Sequence, residues 1–283
     1  MIEVIIPIYN NKETLPRTLY SLMSQLDQNF KVLIVDDCSQ DDIFSIFNNF
    51  KDKLNIRYIR NEKNLGIGMT RQVGIDNSTE EYITFLDSDD VFFPHTISMF
   101  NNILKKRPGV NLVFTHFYEE ESIGEFKDFS LHGNNDNYFW CHGKLYRVDF
   151  LKQYNIKNSP EVLVNDDVFF NIMCIELSEV LTIPVPTMIW VENKQSASRQ
   201  SSWMERKTSD LIHSYMLAID FLIEYKPISE INFLKKSLDY LKKFYKNYLS
   251  LLSEIEQERV TNKLKEFEIF LKNHNYNYDF NIN

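Results

Sequence analysis

Apolar and polar positions along the chain fall into two alternating registers. Residues 4–8 and 31–35 (KVLIV) are short apolar runs rich in β-branched side chains and read as buried strands. Residues 56–59 and 82–86 read as two more. Between them, residues 12–25 place Leu15, Leu19, Leu22 and Met23 at helical spacing, and residues 41–50 and 66–75 also read as helices. Residues 94–106 predict a helix with Pro94 in its first turn. Residues 111–117 predict a strand, 119–137 a polar loop, 146–154 and 166–177 helices. Residues 180–183 and 187–191 predict two strands separated by Pro184 and Pro186. From residue 203 to 272 the chain is helix-compatible, with only Pro227 as a breaker, which predicts two or three long helices and then a frayed tail over 273–283. Strands alternating with helices argue for an α/β domain with a mostly parallel central sheet flanked by helices, over residues 1–202. Residues 203–283 form an α-helical C-terminal extension.

Composition narrows the class. The 43% hydrophobic and 25% charged content is that of a soluble globular protein. Net charge is 31 − 40 = −9, which makes the chain a poor general binder of nucleic acid or anionic membrane. Cys38, Cys141 and Cys174 have no zinc-site spacing and no even pairing, so a reducing, cytoplasmic setting is expected. No apolar run reaches the ~20 residues that span a bilayer, so no transmembrane segment is expected and any membrane contact would be peripheral.

The chemistry gathers at strand ends, where ligands collect in open α/β sheets. Asp36-Asp37 follow the second strand, and Asp87-Ser88-Asp89-Asp90 follow the fourth. Carboxylates this close repel one another unless solvent, hydrogen bonds or a cation offsets the charge. An EF-hand is excluded, because Phe92 and Ser98 stand where that loop needs Gly and Glu. A solvated turn remains, or a hard divalent cation shared with substrate phosphates. A phosphate-accepting receiver domain is discounted, since its acidic pair follows the first strand. In the intervening residues 61–75, Gly66 and Gly68 permit a tight backbone at a helix start that favours anions. Arg71 lies about one turn further on, placed to reach a phosphate. The third glycine of a dinucleotide fingerprint is missing.

Four segments in order resemble the family 2 glycosyltransferases, which have the GT-A fold: IIPIYNNKETL, VLIVDDCSQDD, NLGIGMTRQVGI and FLDSDD. GKLYRVDFL and NDDVFFNI extend the resemblance, more weakly, to about residue 200. The departures are Cys38 for a Gly, Thr70 and Gln72 for the Ala and Asn flanking Arg71, and Asp166 for a Glu. Cys38 and Gln72 put fine donor choice in question.

The resemblance implies an inverting glycosyltransferase that uses Mn2+ or Mg2+ and a nucleotide-sugar, with a UDP-sugar the expected donor. Pro7 and Tyr9 would shape the base pocket, and Asp36 or Asp37 would read the base. Asn64, Gly66, Arg71, Asp87 and Ser88 complete the donor side. Asp89 and Asp87 would hold the metal, with Asp90 supporting or capping. Asp167, with Asp166 as the alternative, would deprotonate the acceptor hydroxyl; taken alone, the pair is a helix cap. The acceptor is a glycan, a lipid-linked sugar or another hydroxyl. Other readings are the same chemistry on a modified base of phage DNA, and a non-catalytic nucleotide-sugar-binding module. Nucleotidyl transfer is disfavoured, because IPIYNNKE lacks a Gly-rich basic loop after the first strand.

Two features stand outside this scheme. The histidines show no paired ligand spacing; His142, beside Trp140, is a candidate acceptor contact, and Trp140 and Trp190 either stack on sugars or belong to the core. Lys235, Lys236, Lys242, Lys243 and Lys246, with the single acid Asp239, make one basic face of an amphipathic helix. That face is either simply solvated or a peripheral contact for a membrane or a polyanion.

Overall fold

Every residue of the first strand, β1 (Ile2–Ile8), is buried, as an unbroken apolar run requires when a sheet is covered on both faces. The structure is a computed structural model that describes residues 1–122, 125–129, 139–162, 165–191 and 207–282. It divides into two units, Met1–Pro160 with Ser178–Asn193, and Glu161–Leu177 with Lys194–Asn283.

In the first unit β1 pairs in parallel with β2 (Phe30–Asp36) on one side and β4 (Tyr82–Phe85) on the other, and β2 pairs in parallel with β3 (Ile56–Arg60). β5 (Val91–Phe92), β6 (Leu112–Ser122), β7 (Glu125–Phe129), β8 (Lys144–Arg147) and β9 (Val180–Trp190) complete a sheet of order β3-β2-β1-β4-β8-β6-β9-β5, with β7 paired to β6. The first four strands are parallel. β8 runs antiparallel to β4 and to β6, and β9 runs parallel to β6. Helices α1 (Leu15–Met23), α2 (Ile43–Phe50), α3 (Ile67–Asp76), α4 (Thr96–Lys106) and α5 (Val148–Gln153) accompany this sheet. The chain thus turns from β2 and β3 on one side of β1 to β4 on the other, a topological switch point.

Pro7 lies in the middle of that sheet, where a missing N–H is normally costly. The carbonyl of Ile5 accepts from Leu86 on the β4 side, and that of Ile8 accepts from Asp37 on the β2 side. Strand alternation therefore turns Pro7 toward β4, beyond the last β1–β4 pair, Ile5–Phe85. The proline falls where the two strands have already parted.

The second unit holds α6 (Asp166–Glu176), α7 (Lys207–Leu222), α8 (Asn232–Tyr248) and α9 (Glu254–Asn273). α6 packs against α7 and α8, and α7 against α9. Val260, Leu264, Phe267 and Leu271 of α9 are buried at helical spacing. Buried Glu176 accepts from Lys226 Nζ at 2.8 Å and from the backbone N–H of Asn232 and Phe233 at 3.1 and 2.8 Å. An acid thus sits at the positive end of α8.

Several expectations change. Residues 180–190 are one strand; the prolines shift its register against Thr115–Phe117 instead of ending it, because only the ladder bonds local to each proline are lost. The expected loop over 119–137 begins as a hairpin of β6 and β7, and residues 130–138 lie outside the described residues. Residues 144–147 are strand and the helix begins only at Val148. The tail is anchored: Phe280 is buried with its ring 5.9 Å from that of Phe267, and its N–H donates to Glu268. A boundary between residues 202 and 203 falls outside the described residues, and Glu161–Leu177 already belongs with the helices.

Gly74 brings α3 onto β1 so closely that a Cβ there would lie 2.4 Å from Cγ2 of Ile5. Gly74→Ala should therefore destabilise the protein by about 1–3 kcal/mol, the range for overpacking a tight core contact. The check is urea unfolding, and an unchanged midpoint would contradict this packing.

Candidate functional site

The backbone N–H of Asp90 donates to the carbonyl of Asp87 at 3.0 Å, closing a turn over residues 87–90 just past β4. α1 holds that turn by its backbone. Thr14 Oγ1 donates to the Ser88 carbonyl at 2.9 Å, and Thr18 Oγ1 reaches the Ser88 and Asp90 carbonyls at 3.0 and 2.8 Å. Arg17 donates to the Asp89 carbonyl at 2.9 Å. With the backbone gripped, the carboxylates have fixed directions.

A turn of this kind sets its first and fourth side chains next to each other. Arg71, from the buried side of α3, donates to both carboxylate oxygens of Asp87 at 2.9 and 3.2 Å. Burial works against charge on Asp87, but Arg71 and then His142 outweigh it and hold the group below the usual carboxylate range. Asp90 is fully buried; its Oδ1 accepts from the Val191 N–H at 2.9 Å and its Oδ2 lies 3.4 Å from His142 Nε2. Burial pushes Asp90 up to about 7, with Asp89 and Asp87 adding to the effect and His142 opposing it. Asp87, Asp90 and His142 each present a ligand atom within 4.8 Å of the others. Two carboxylates and an imidazole are a donor set that suits Mn2+ and related divalent ions. Asp89, half-buried at the third position of the turn, is not in that cluster.

His142 reaches the turn because β8 lies beside β4. Gly143, at φ +63°, ends the approach: a Cβ there would fall 2.8 Å from Thr115 Oγ1. The His142 ring packs 5.2 Å from Phe117 and 5.6 Å from Trp190, and Trp190 lies 5.4 Å from Trp140, centroid to centroid. Sequence spacing gave no sign that this histidine stands beside the acidic turn; the strand order brings it in.

The other acidic pair lies across β1. Asp36 is fully buried and accepts from the Ser39 N–H at 2.8 Å and, on its other oxygen, from Tyr58 and Arg60, both at 2.5 Å. Burial favours its neutral form, but the bonds from Ser39 and Tyr58 and the charge of Arg60 overcome this and hold it below the usual range. Asp37 accepts from Asn61 Nδ2 and from the N–H groups of Leu65 and Gly66 at 2.8, 2.8 and 2.9 Å. The amides entering α3, an expected anion cradle, are therefore already met by a carboxylate of the chain. Asn64 accepts from the Gly66 N–H, and Ser88 Oγ accepts from Asn11. Pro7 is buried, whereas Tyr9 is 47% exposed just past the end of β1. Cys38 has φ +62°, which explains why a glycine suits that place. Gln72 is buried and bonds Asn158 and Asp76, so it braces α3.

Asp166 and Asp167 belong to the second unit, in the first turn of α6 after Asn165 at φ +60°. Asp166 is buried and Asp167 half-buried, with Asp167 Oδ1 accepting from the Val168 N–H at 2.9 Å.

Comparison with known proteins places this geometry. The model of glycosyl transferase family 2 matches residues 3–160, more than half of the chain. The chain belongs to glycosyl transferase family 2. Among family relatives, an uncharacterized glycosyltransferase of Haemophilus influenzae is 34% identical over 114 residues, which is 40% of this chain and 38% of that one. Glycosyltransferase GlyG of Streptococcus pneumoniae is 27% identical over 159 residues, 56% of this chain and 49% of its own. The match thus spans less than half the length of these relatives. The crystal structure of S. aureus TarS 1-349 in complex with UDP-GlcNAc superposes with a TM-score of 0.79 at 20% identity, over 95% of this chain and 81% of that one. The mannosyltransferase PcManGT of Pyrobaculum calidifontis, in complex with GDP-Man and Mn2+, gives 0.57 at 14% identity, over 94% and 86%. The fold is GT-A.

Two measurements follow. If the Asp87, Asp90 and His142 cluster takes Mn2+, His142→Ala and Asp90→Asn should each lower its affinity by at least about tenfold, as disturbing a metal site does, read by electron paramagnetic resonance without nucleotide. Unchanged affinity would remove both from the ligand set. For Asp36, a native value below 3.8 means the folded state holds the proton less tightly than the unfolded chain. Its stabilisation is present above about pH 4 and lost as pH falls through the native value. Tyr58→Phe should therefore cost about 1–2 kcal/mol at neutral pH, and urea unfolding should show the gap to wild type shrinking toward acid. A gap independent of pH would contradict the assignment.

Proposed function

We propose that this chain is a metal-dependent, inverting glycosyltransferase that moves a sugar from a nucleotide-sugar, UDP-linked, to an acceptor hydroxyl. The observation that carries the reading is the turn at the switch point, where Arg71 grips Asp87 while Asp90 and His142 stand within ligand reach. The UDP-GlcNAc complex of TarS supports a uridine donor, and the Mn2+ complex of PcManGT supports the metal.

Asp87, Asp90 and His142 would hold the cation, Mn2+ or Mg2+, and Asp89, the other acid of the D-x-D motif, would meet it from the rim of the turn. When bound, that ion supplies Lewis-acid stabilisation of the diphosphate leaving group. The chain's own residues do the rest. Arg71 keeps Asp87 ionised and aimed. Tyr9, past the end of β1, offers a ring to the base, with Pro7 fixing the chain beneath it. Asp36 and Asp37 frame the base side by holding residues 39 and 58–66 in place, with Asn64 and Gly66 at its edge and Ser88 locking the turn. Asp167 accepts the proton of the acceptor hydroxyl, with Asp166 the alternative base. The acceptor oxygen bonds to the anomeric carbon as the bond from that carbon to the diphosphate oxygen breaks. The nucleoside diphosphate leaves with the electron pair, and one displacement inverts the centre.

Calorimetric titration of UDP, GDP and CDP with and without Mn2+ should show one nucleotide, UDP, binding only with metal. Failure of every nucleotide to bind would overturn the transferase reading. Asp167→Asn should lower transfer by about 100- to 10,000-fold, the usual worth of a general base, while UDP affinity changes less than twofold. Transfer that survives would transfer the role to Asp166.

A further inference from the structure

α8 carries five lysines and one acid between residues 235 and 246, on a chain whose net charge is −9. Two of these charges are engaged locally. Lys242 donates to the Asp279 carbonyl at 2.6 Å and lies over the Tyr278 ring, and Asp239 accepts from the Tyr278 hydroxyl at 3.1 Å. Lys235, Lys236, Lys243 and Lys246 are exposed, and none forms an ion pair with a described residue. At 100° per residue they share an arc of about 100°. The opposite side of α8, with Leu234, Leu238 and Leu241, is buried. Asp239, exposed within the same arc, is the one acid on the stripe, which keeps a charge of 4 − 1 = +3.

A basic stripe alone is a solvated face. What changes the reading is its neighbour. α8 runs straight into a 3-10 turn at Leu249–Leu251 and then α9, and at that tip Leu251 is 77% and Ile255 67% exposed. Lone exposed apolar side chains are ordinary. Two at one tip, Leu251 five residues beyond Lys246 and Ile255 four further on, match the division of labour at a bilayer surface: lysines on headgroup phosphates, aliphatic side chains in the acyl boundary. A dissolved polyanion would use the lysines and leave Leu251 and Ile255 in water.

We infer that this helix tip is a peripheral docking site for an anionic lipid bilayer, with Lys235, Lys236, Lys243 and Lys246 facing the headgroups and Leu251 and Ile255 inserted. This is independent of the transferase reading, since none of these residues belongs to the candidate site.

The experiment is sedimentation of the full chain with phosphatidylcholine vesicles, with or without 30% phosphatidylglycerol, on the order of the anionic content that gives a substantial surface potential. Wild type should bind only the anionic vesicles, and less at high salt. The variant carrying Lys235→Gln, Lys236→Gln, Lys243→Gln and Lys246→Gln should lose about fivefold in partitioning per lysine. Leu251→Ser with Ile255→Ser, which leaves the charge alone, should weaken binding several-fold. All six positions are exposed, and circular dichroism checks that both variants fold. The inference is overturned if wild type binds neither vesicle or both equally, or if the lysine variant binds as wild type does. It is also overturned if Leu251→Ser with Ile255→Ser changes nothing while soluble polyphosphate displaces the protein from vesicles, which would make the stripe a polyanion site.

Discussion

Three carboxylates within one four-residue turn repel one another, and much of the first unit is arranged around that repulsion. Arg71 neutralises Asp87 from one side. Asp90 is driven inward, where burial favours its protonated form and His142 stands against it. Hydroxyls and a guanidinium from α1 hold the carbonyls of the same turn. The chain's own groups thus offset most of the repulsion, and the cation proposed above would relieve what remains.

The path from chain to site runs through β1. Its apolar residues bury it between two parallel neighbours, and Pro7 stands where one neighbour diverges. The opening at the switch point is thus written into the backbone rather than left to side chains. Asp37 then ties the entry of α3 to the end of β2. Gly74 draws α3 tight onto β1. Together these contacts set Arg71 at the right depth to meet Asp87. Residues far from the turn therefore control its electrostatics.

The strands and helices of the first ninety residues were legible because buried parallel strands leave unbroken apolar runs and amphipathic helices leave a 3.6-residue period. The acidic clusters were legible as motifs. What the sequence hid was mostly tertiary. His142 comes to the turn only through the placing of β8 beside β4, and no local period encodes that. That Asp90 lies beside Asp87 and His142 depends on a turn hydrogen bond, since D-x-D spacing does not say which side chains of a turn face each other. Pro184 and Pro186 looked like strand breakers, but β9 absorbs them as register shifts against β6. The polar residues 273–283 looked frayed, yet buried Phe280 fixes them to α9 through its ring and its N–H.

The second unit is discontinuous: it takes Glu161–Leu177, releases the chain to β9, and takes it up again at Lys194. α6, with Val168, Phe169, Phe170, Ile172 and Met173 buried, is thus separated in sequence from the helices it packs against. A protein shortened after residue 193 would expose that apolar surface to water and invite aggregation. The converse fragment, beginning at residue 194, would lack the acid that meets the start of α8. The helices are consequently no detachable accessory. Evolution could lengthen or redecorate them at their outer face, but a recombination event that swapped them whole would have to carry α6 along from the middle of the gene.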